Sequence, residues 1–142
     1  MDKTGINIRF IFNFCNDIDE IRCFYSELIG LEEVSYRNDE EWGWLVYQSE
    51  GFQFMWFRSD EKLPVIDGWA AQPGYSGGEF AITSWSIELP KEDFEKIIGR
   101  LKASGVKLFS MEPEWRQESY WGFTVMDPMG NTVELYYEEE GG

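Results

Sequence analysis

Histidine is absent from all 142 residues. Imidazole is the commonest metal ligand and the only side chain whose ordinary titration falls between pH 5 and 8. Its absence removes Ser-His-Asp, Cys-His and His-ligated zinc chemistry together. Cysteine is nearly as scarce. Cys15 and Cys23 are too few for a disulfide framework or a zinc motif, and both sit in or beside apolar patterns, as buried free thiols do. No apolar run reaches the ~20 residues of a membrane span, and no signal-type apolar region precedes a cleavage site. The expected location is cytoplasmic. Cationic residues are few as well: 12 Lys and Arg stand against 27 Asp and Glu, a net charge of −15. Such a surface repels phosphate backbones and anionic membranes, which excludes nucleic acid and membrane as partners and favours cations, including small organic ones. No phosphate-binding loop or dinucleotide fingerprint is present.

Aromatic side chains are plentiful. Seven Trp, seven Tyr and eleven Phe make up 18% of the chain, enough to fill a core with rings and to line a cavity with them. The length suits one compact domain or two small halves.

Taken in order, Ile6 to Phe14 alternates, with Ile6, Ile8, Phe10, Phe12 and Phe14 on one face, and predicts a half-buried strand. Asn16 or Asp17 then caps a helix to about Ile29, whose apolar stripe is Ile18, Ile21, Phe24, Tyr25 and Leu28. Gly30 ends it. Strands are expected over 31–36, 42–48 and 52–57, which completes a βαβββ unit. From Arg58 to Phe80 the periodicity lapses among Pro64, Gly68, Pro73, Gly74, Gly77 and Gly78. A structureless stretch of that length suggests a lid, with Trp69 and Tyr75 as anchors. The order then repeats: a strand over 81–89, a helix from Pro90 through Ser104 with Phe94, Ile97, Ile98 and Leu101 as its stripe, a short β-like stretch over 106–109, a loop over 113–117, and strands over 118–126 and 131–137. The modules are residues 1–58 and 81–142, joined by 59–80 and together one domain. Each would leave a sheet face exposed, so two must pair, within one chain or by exchange between chains.

The last hairpin carries the most information. Phe123 to Tyr137 runs into Asp127-Pro128-Met129-Gly130-Asn131, where Pro128 and Gly130 supply a tight turn. In the outgoing strand Val133, Leu135 and Tyr137 share one face, and Thr132, Glu134 and Tyr136 the other. The pattern alone fits a solvated Glu on an edge strand as well as a Glu set into a site.

This hairpin, the segment Asp17-Ile18-Asp19-Glu20-Ile21 with Phe24-Tyr25 and Leu28-Ile29-Gly30-Leu31-Glu32, and the stretch Ser84-Trp85-Ser86-Ile87-Glu88-Leu89-Pro90 with its following helix resemble three stretches of the glyoxalase / bleomycin-resistance / ring-cleaving dioxygenase (vicinal oxygen chelate) superfamily. The resemblance implies an α+β fold in which paired βαβββ modules form a curved, half-barrel mixed sheet covered by helices. It also implies metal-ligand positions at Phe10 (or Arg9), near Gln53, at Ser84 and at Glu134. Of these only Glu134 is of a ligand type, with one amide in reserve, which is too few donors for a closed divalent site.

The expected site is therefore a metal-free, cofactor-free groove lined by Glu134, Tyr136, Trp42, Trp44, Gln53, Met55, Ser84, Ser86, Glu88 and Trp121, with Tyr120 and Arg116 as further candidates. Rings and carboxylates suit an aromatic or cationic small molecule. The expectation is a homodimeric, antibiotic-sequestering type of binding protein. The alternative is a lyase, isomerase or dioxygenase with a metal or acid–base site rebuilt at Glu134 and Glu88.

Overall fold

The computed structural model describes residues 5–139. The chain divides into two compact units, the first ending at Leu63 and the second starting at Pro64. Both are built the same way.

In the first unit, β1 (Phe10–Cys15), β2 (Glu32–Asn38), β3 (Gly43–Gln48) and β4 (Gln53–Arg58) form a mixed sheet of order β1-β4-β3-β2, with β1 and β4 parallel. Asp17 caps α1 (Ile18–Arg22), its carboxylate accepting from the Asp19 and Glu20 amides. The helix continues with wider, π-type turns over Cys23–Ile29 and stops at Gly30, which is left-handed. One side of the sheet packs on this helix: Tyr25 meets the rings of Tyr47, Phe54 and Trp56, and all four are buried. The aromatic core expected from composition is here.

The first strand departs from expectation in extent and in burial. It starts at Phe10 rather than Ile6, and the apolar row points away from the helix. Phe10, Phe12 and Phe14 are 52%, 61% and 57% exposed. Alternation says which residues share a face, but not which face is covered.

In the second unit, β5 (Ser84–Glu88), β6 (Glu114–Arg116), β7 (Tyr120–Met126) and β8 (Thr132–Glu138) form a sheet of order β5-β8-β7-β6, with β5 and β8 parallel. The helix α2 (Lys91–Ser104) buries Phe94, Ile97, Ile98 and Leu101, and Phe94 stands edge-on to Tyr137 of β8. Val133 and Leu135 are fully buried on that side. β8 lies between β5 and β7, which disposes of the edge-strand reading.

Two local expectations fail. The stretch over 106–109 is no strand and contributes only a bridge from Leu108 to Val125. The loop expected over 113–117 holds β6, hairpinned to β7 through Gln117 and Glu118, both at positive φ. Neither residue is a turn signal, so the hairpin was hidden. The Trp115–Trp121 ring pair, at 5.4 Å, closes it.

The segment over 64–80 also lies in the second unit and is strapped to its sheet. The Ile66 amide donates to Met129 O, and the Ala70 amide to Thr132 Oγ1. Gly130 is at φ 83°, and a side chain there would run into the Ile66 carbonyl. Trp69 and Tyr75 both rest on the ring of Phe109, the latter stacked at 4.0 Å.

Candidate ligand-binding site

The second sheet's face away from α2 is assembled from alternating positions of four strands. Ser86 of β5 is level with Glu134 of β8, which is level with Thr124 of β7. On the next rungs Tyr136 is level with Gly122, and Gly122 with Glu114 of β6. Tyr120 is paired with Glu138 and Arg116.

Glu134 is 5% exposed and Arg116 1%. A buried charge costs several kcal/mol unless it is paired and hydrogen-bonded, and the two solve this jointly. Arg116 Nη1 donates to Glu134 Oε2 at 2.6 Å and to Thr124 Oγ1 at 2.9 Å, and Nη2 donates to Glu114 Oε1 at 2.7 Å. The other oxygen of Glu134 accepts from Ser86 Oγ at 2.5 Å. Both carboxylate oxygens are thus committed.

Beside this pair lies an open cavity of about 340 Å³, bounded by Ser86, Tyr120, Glu134, Tyr136, Glu138, Pro73 and Gln117. Gln117 Nε2 donates to Pro73 O, tying the strap to the rim. The phenol of Tyr136 is pushed up by burial and then by the charges of Glu88, Glu138 and Glu134. Burial and Glu134 push Tyr120 up too, partly offset by Arg116. Glu134 and Glu138 thus bring two carboxylates to the wall of this cavity.

A family model for the glyoxalase-like domain matches residues 9–136. The chain belongs to the glyoxalase-like family. Among solved structures, a glyoxalase/dioxygenase from Nostoc punctiforme superposes with a TM-score of 0.71 at 16% identity, over 99% of this chain and 97% of that one. The oxidase ChaP-H2 gives 0.66 at 14%, over 98% of each chain. The fosfomycin resistance protein FosX from Listeria monocytogenes gives 0.62 at 14%, over 96% of this chain and 95% of that one. At these identities the likeness is one of fold. No curated protein sequence matches.

The metal that the family resemblance implies does not fit these residues. Glu134 already faces the Arg116 guanidinium on one oxygen and Ser86 Oγ on the other, so a metal ion would have to displace a resident cation. Ser84 Oγ is engaged by Gln72 Nε2 at 3.1 Å, and Phe10 carries no donor atom. Among the described residues no three Cys, Asp or Glu side chains gather as a metal would need. By register the first-unit counterpart of Glu134 is Met55, while Gln53 corresponds to Thr132.

Of the residues singled out by sequence, the second sheet brings Ser86, Glu134 and Tyr136 together on the cavity wall. Ser84 is occupied by the strap, and Glu88 is exposed at the rung of Tyr136. Trp121 is on the opposite face from Glu134. It lines a separate groove of about 810 Å³ with Phe94, Pro113 and Tyr137. Adjacent strand residues cannot share a face, so Tyr120 and Trp121 could not both belong to the site.

Trp42, Trp44, Gln53 and Met55 belong to the first unit. Trp42 precedes β3 and is exposed, and Trp44 Nε1 donates to Ser35 Oγ at 2.9 Å. Gln53 Nε2 donates to Gln48 Oε1 at 3.3 Å, and Met55 is half-buried between Phe12 and Val46. Sequence reasoning missed Thr124, Glu114, Gly122 and Glu138 altogether; it named Arg116 as a further candidate but placed it in a loop and not beside Glu134.

Proposed function

We propose that the chain binds a small cationic aromatic compound without a metal, at the cavity beside Glu134, and holds it stoichiometrically rather than transforming it. The observation that carries this reading is the lining of the cavity of about 340 Å³, where the carboxylates of Glu134 and Glu138 stand with the rings of Tyr120 and Tyr136. Tyr120 and Tyr136, with ring centroids 5.5 Å apart, offer faces and edges for stacking. Enzymatic use of Glu134 and Glu88 would have to displace Arg116 and Ser86 from Glu134, and Glu88 is exposed and is not part of the cavity lining.

A homodimer belongs to this reading, because the first sheet leaves a row of phenylalanines in water. So does a cytoplasmic setting, in keeping with the exposed free thiol of Cys23. No described helix is long and apolar enough to cross a membrane.

Equilibrium dialysis with proflavine, a planar cation, tests the reading. Saturable binding is expected, weakened about tenfold by Tyr136→Leu or Glu138→Gln through lost stacking and charge pairing. Equal binding by parent and both variants, or preference for an anionic dye of the same size, would remove it.

A further inference from the structure

We propose that Arg116 is the resident cation of this pocket: its guanidinium, supplied from within the chain, takes the place beside Glu134 that the family resemblance assigns to a metal ion. The inference deepens the metal-independent reading and rests on it.

Three observations carry it. First, the guanidinium contacts two carboxylates and a hydroxyl, Glu134, Glu114 and Thr124, at 2.6 to 2.9 Å. It is a cation held by oxygens. Second, it reaches them from β6 by crossing the whole width of β7, and the crossing is possible only over Gly122. A Cβ there would stand 2.8 Å from Arg116 Nη1, 2.9 Å from its Cδ and 3.0 Å from Glu134 Oε2. Any side chain at 122 would displace the cation from its carboxylate. Third, the other side is closed by the strap, where the Tyr75 ring lies 5.1 Å from the guanidinium carbon. The cation is enclosed, aimed and sterically accommodated, which a surface ion pair is not.

The arrangement gives Glu134 a role in a chain with no imidazole. The carboxylate fixes Arg116 and Ser86, and these in turn set the wall that a ligand meets. Glu134 is then a positioning residue rather than a ligand's direct counter-ion.

The test uses the full chain and four proteins: the parent, Arg116→Ala, Glu134→Gln, and the double variant. Thermal melting is recorded with and without millimolar methylguanidinium, and Mn²⁺ binding is followed by its electron-spin signal. In Arg116→Ala two carboxylates face an emptied space, so methylguanidinium is expected to raise its melting temperature and Mn²⁺ to bind at least about tenfold more tightly than to the parent. Both gains should vanish in the double variant. An Arg116→Ala protein that folds and responds to neither cation would overturn the inference while leaving the metal-free reading intact. Parent protein that binds Mn²⁺ through Glu134 would overturn both. If Arg116→Ala does not fold, the double variant decides: a double variant that does fold supports a charge pair. One no more stable than Arg116→Ala reduces Arg116 to packing, and the inference falls.

Discussion

Phe10, Phe12 and Phe14 on β1 occupy the register positions that Ser84, Ser86 and Glu88 occupy on β5. Met55 and Phe57 correspond to Glu134 and Tyr136, and Trp44 to Gly122. The strand order is the same, and so is the side packed on a helix. Yet the other face is apolar and exposed in the first unit, while in the second it is polar, strapped and hollowed by a cavity. A duplicated architecture thus fixes where a site can be but not which copy holds it. The polar face and its cavity belong to the second unit, and the first keeps a face of exposed rings.

The pair Trp44 and Gly122 gives the sharpest way to break this comparison. Gly122→Ala adds one carbon, but it drives into Arg116 and Glu134, neither of which can move without abandoning a buried charge. The expected cost is about 2–3 kcal/mol. Trp44→Ala deletes a whole indole from a half-exposed position and should cost only about 1 kcal/mol. Urea unfolding at concentrations too low for association measures both. If the indole deletion proves the more costly, the first face is a packed structural element, and the asymmetry drawn here is wrong.

What the sequence disclosed follows the range of the interactions. Val133, Leu135 and Tyr137 against Thr132, Glu134 and Tyr136 was readable because alternation is local and β8 keeps it for seven residues. The α2 stripe was readable for the same reason. Arg116 was not. Its partner is 18 positions away, it crosses an intervening strand, and its own strand is three residues long behind a turn of Gln117 and Glu118. The outward side of β1 was also beyond local pattern, since a row of phenylalanines reads as core until the sheet's partner is known. The residues that complete the site are those whose meaning depends on a third strand.

A second contrast concerns association. Phe12→Asp places a charge in the middle of the exposed row, beside Phe10 and Phe57, whose rings lie 6.3 and 6.1 Å from that of Phe12. If that face is where two copies meet, sedimentation should show the parent as a dimer and the variant at the mass of a single chain, with its own folding nearly unchanged. The matching change on the second sheet, Ser86→Asp, should leave association intact. Dissociation by Ser86→Asp and not by Phe12→Asp would assign the interface to the polar face instead.

The smallest expected effect compares two ion pairs. Arg22 and Glu33 join α1 to β2 on the helix side of the first sheet, with Arg22 Nε 2.8 Å from Glu33 Oε2 and Ser26 Oγ donating to the same oxygen. The hydrogen bond from Arg22 holds the Glu33 carboxyl below its ordinary range, with help from Ser26 and against the effect of burial. A depressed folded value means that the charged form is favoured by folding. The pair's contribution is therefore complete above the ordinary value of 4.5 and fades as pH falls through the lower, folded one. Unlike Arg116 and Glu134, these side chains are 38% and 25% exposed. Water and salt screen them, so the contribution should be only about 0.2–1 kcal/mol. Glu33→Gln should accordingly be slightly less stable than the parent near neutrality, and the difference should narrow as the pH falls below the ordinary carboxylate range. It should also shrink in high salt. A gap that widened toward low pH would mean that Glu33 is held by something other than its charge. The two pairs would then no longer differ simply by their access to water.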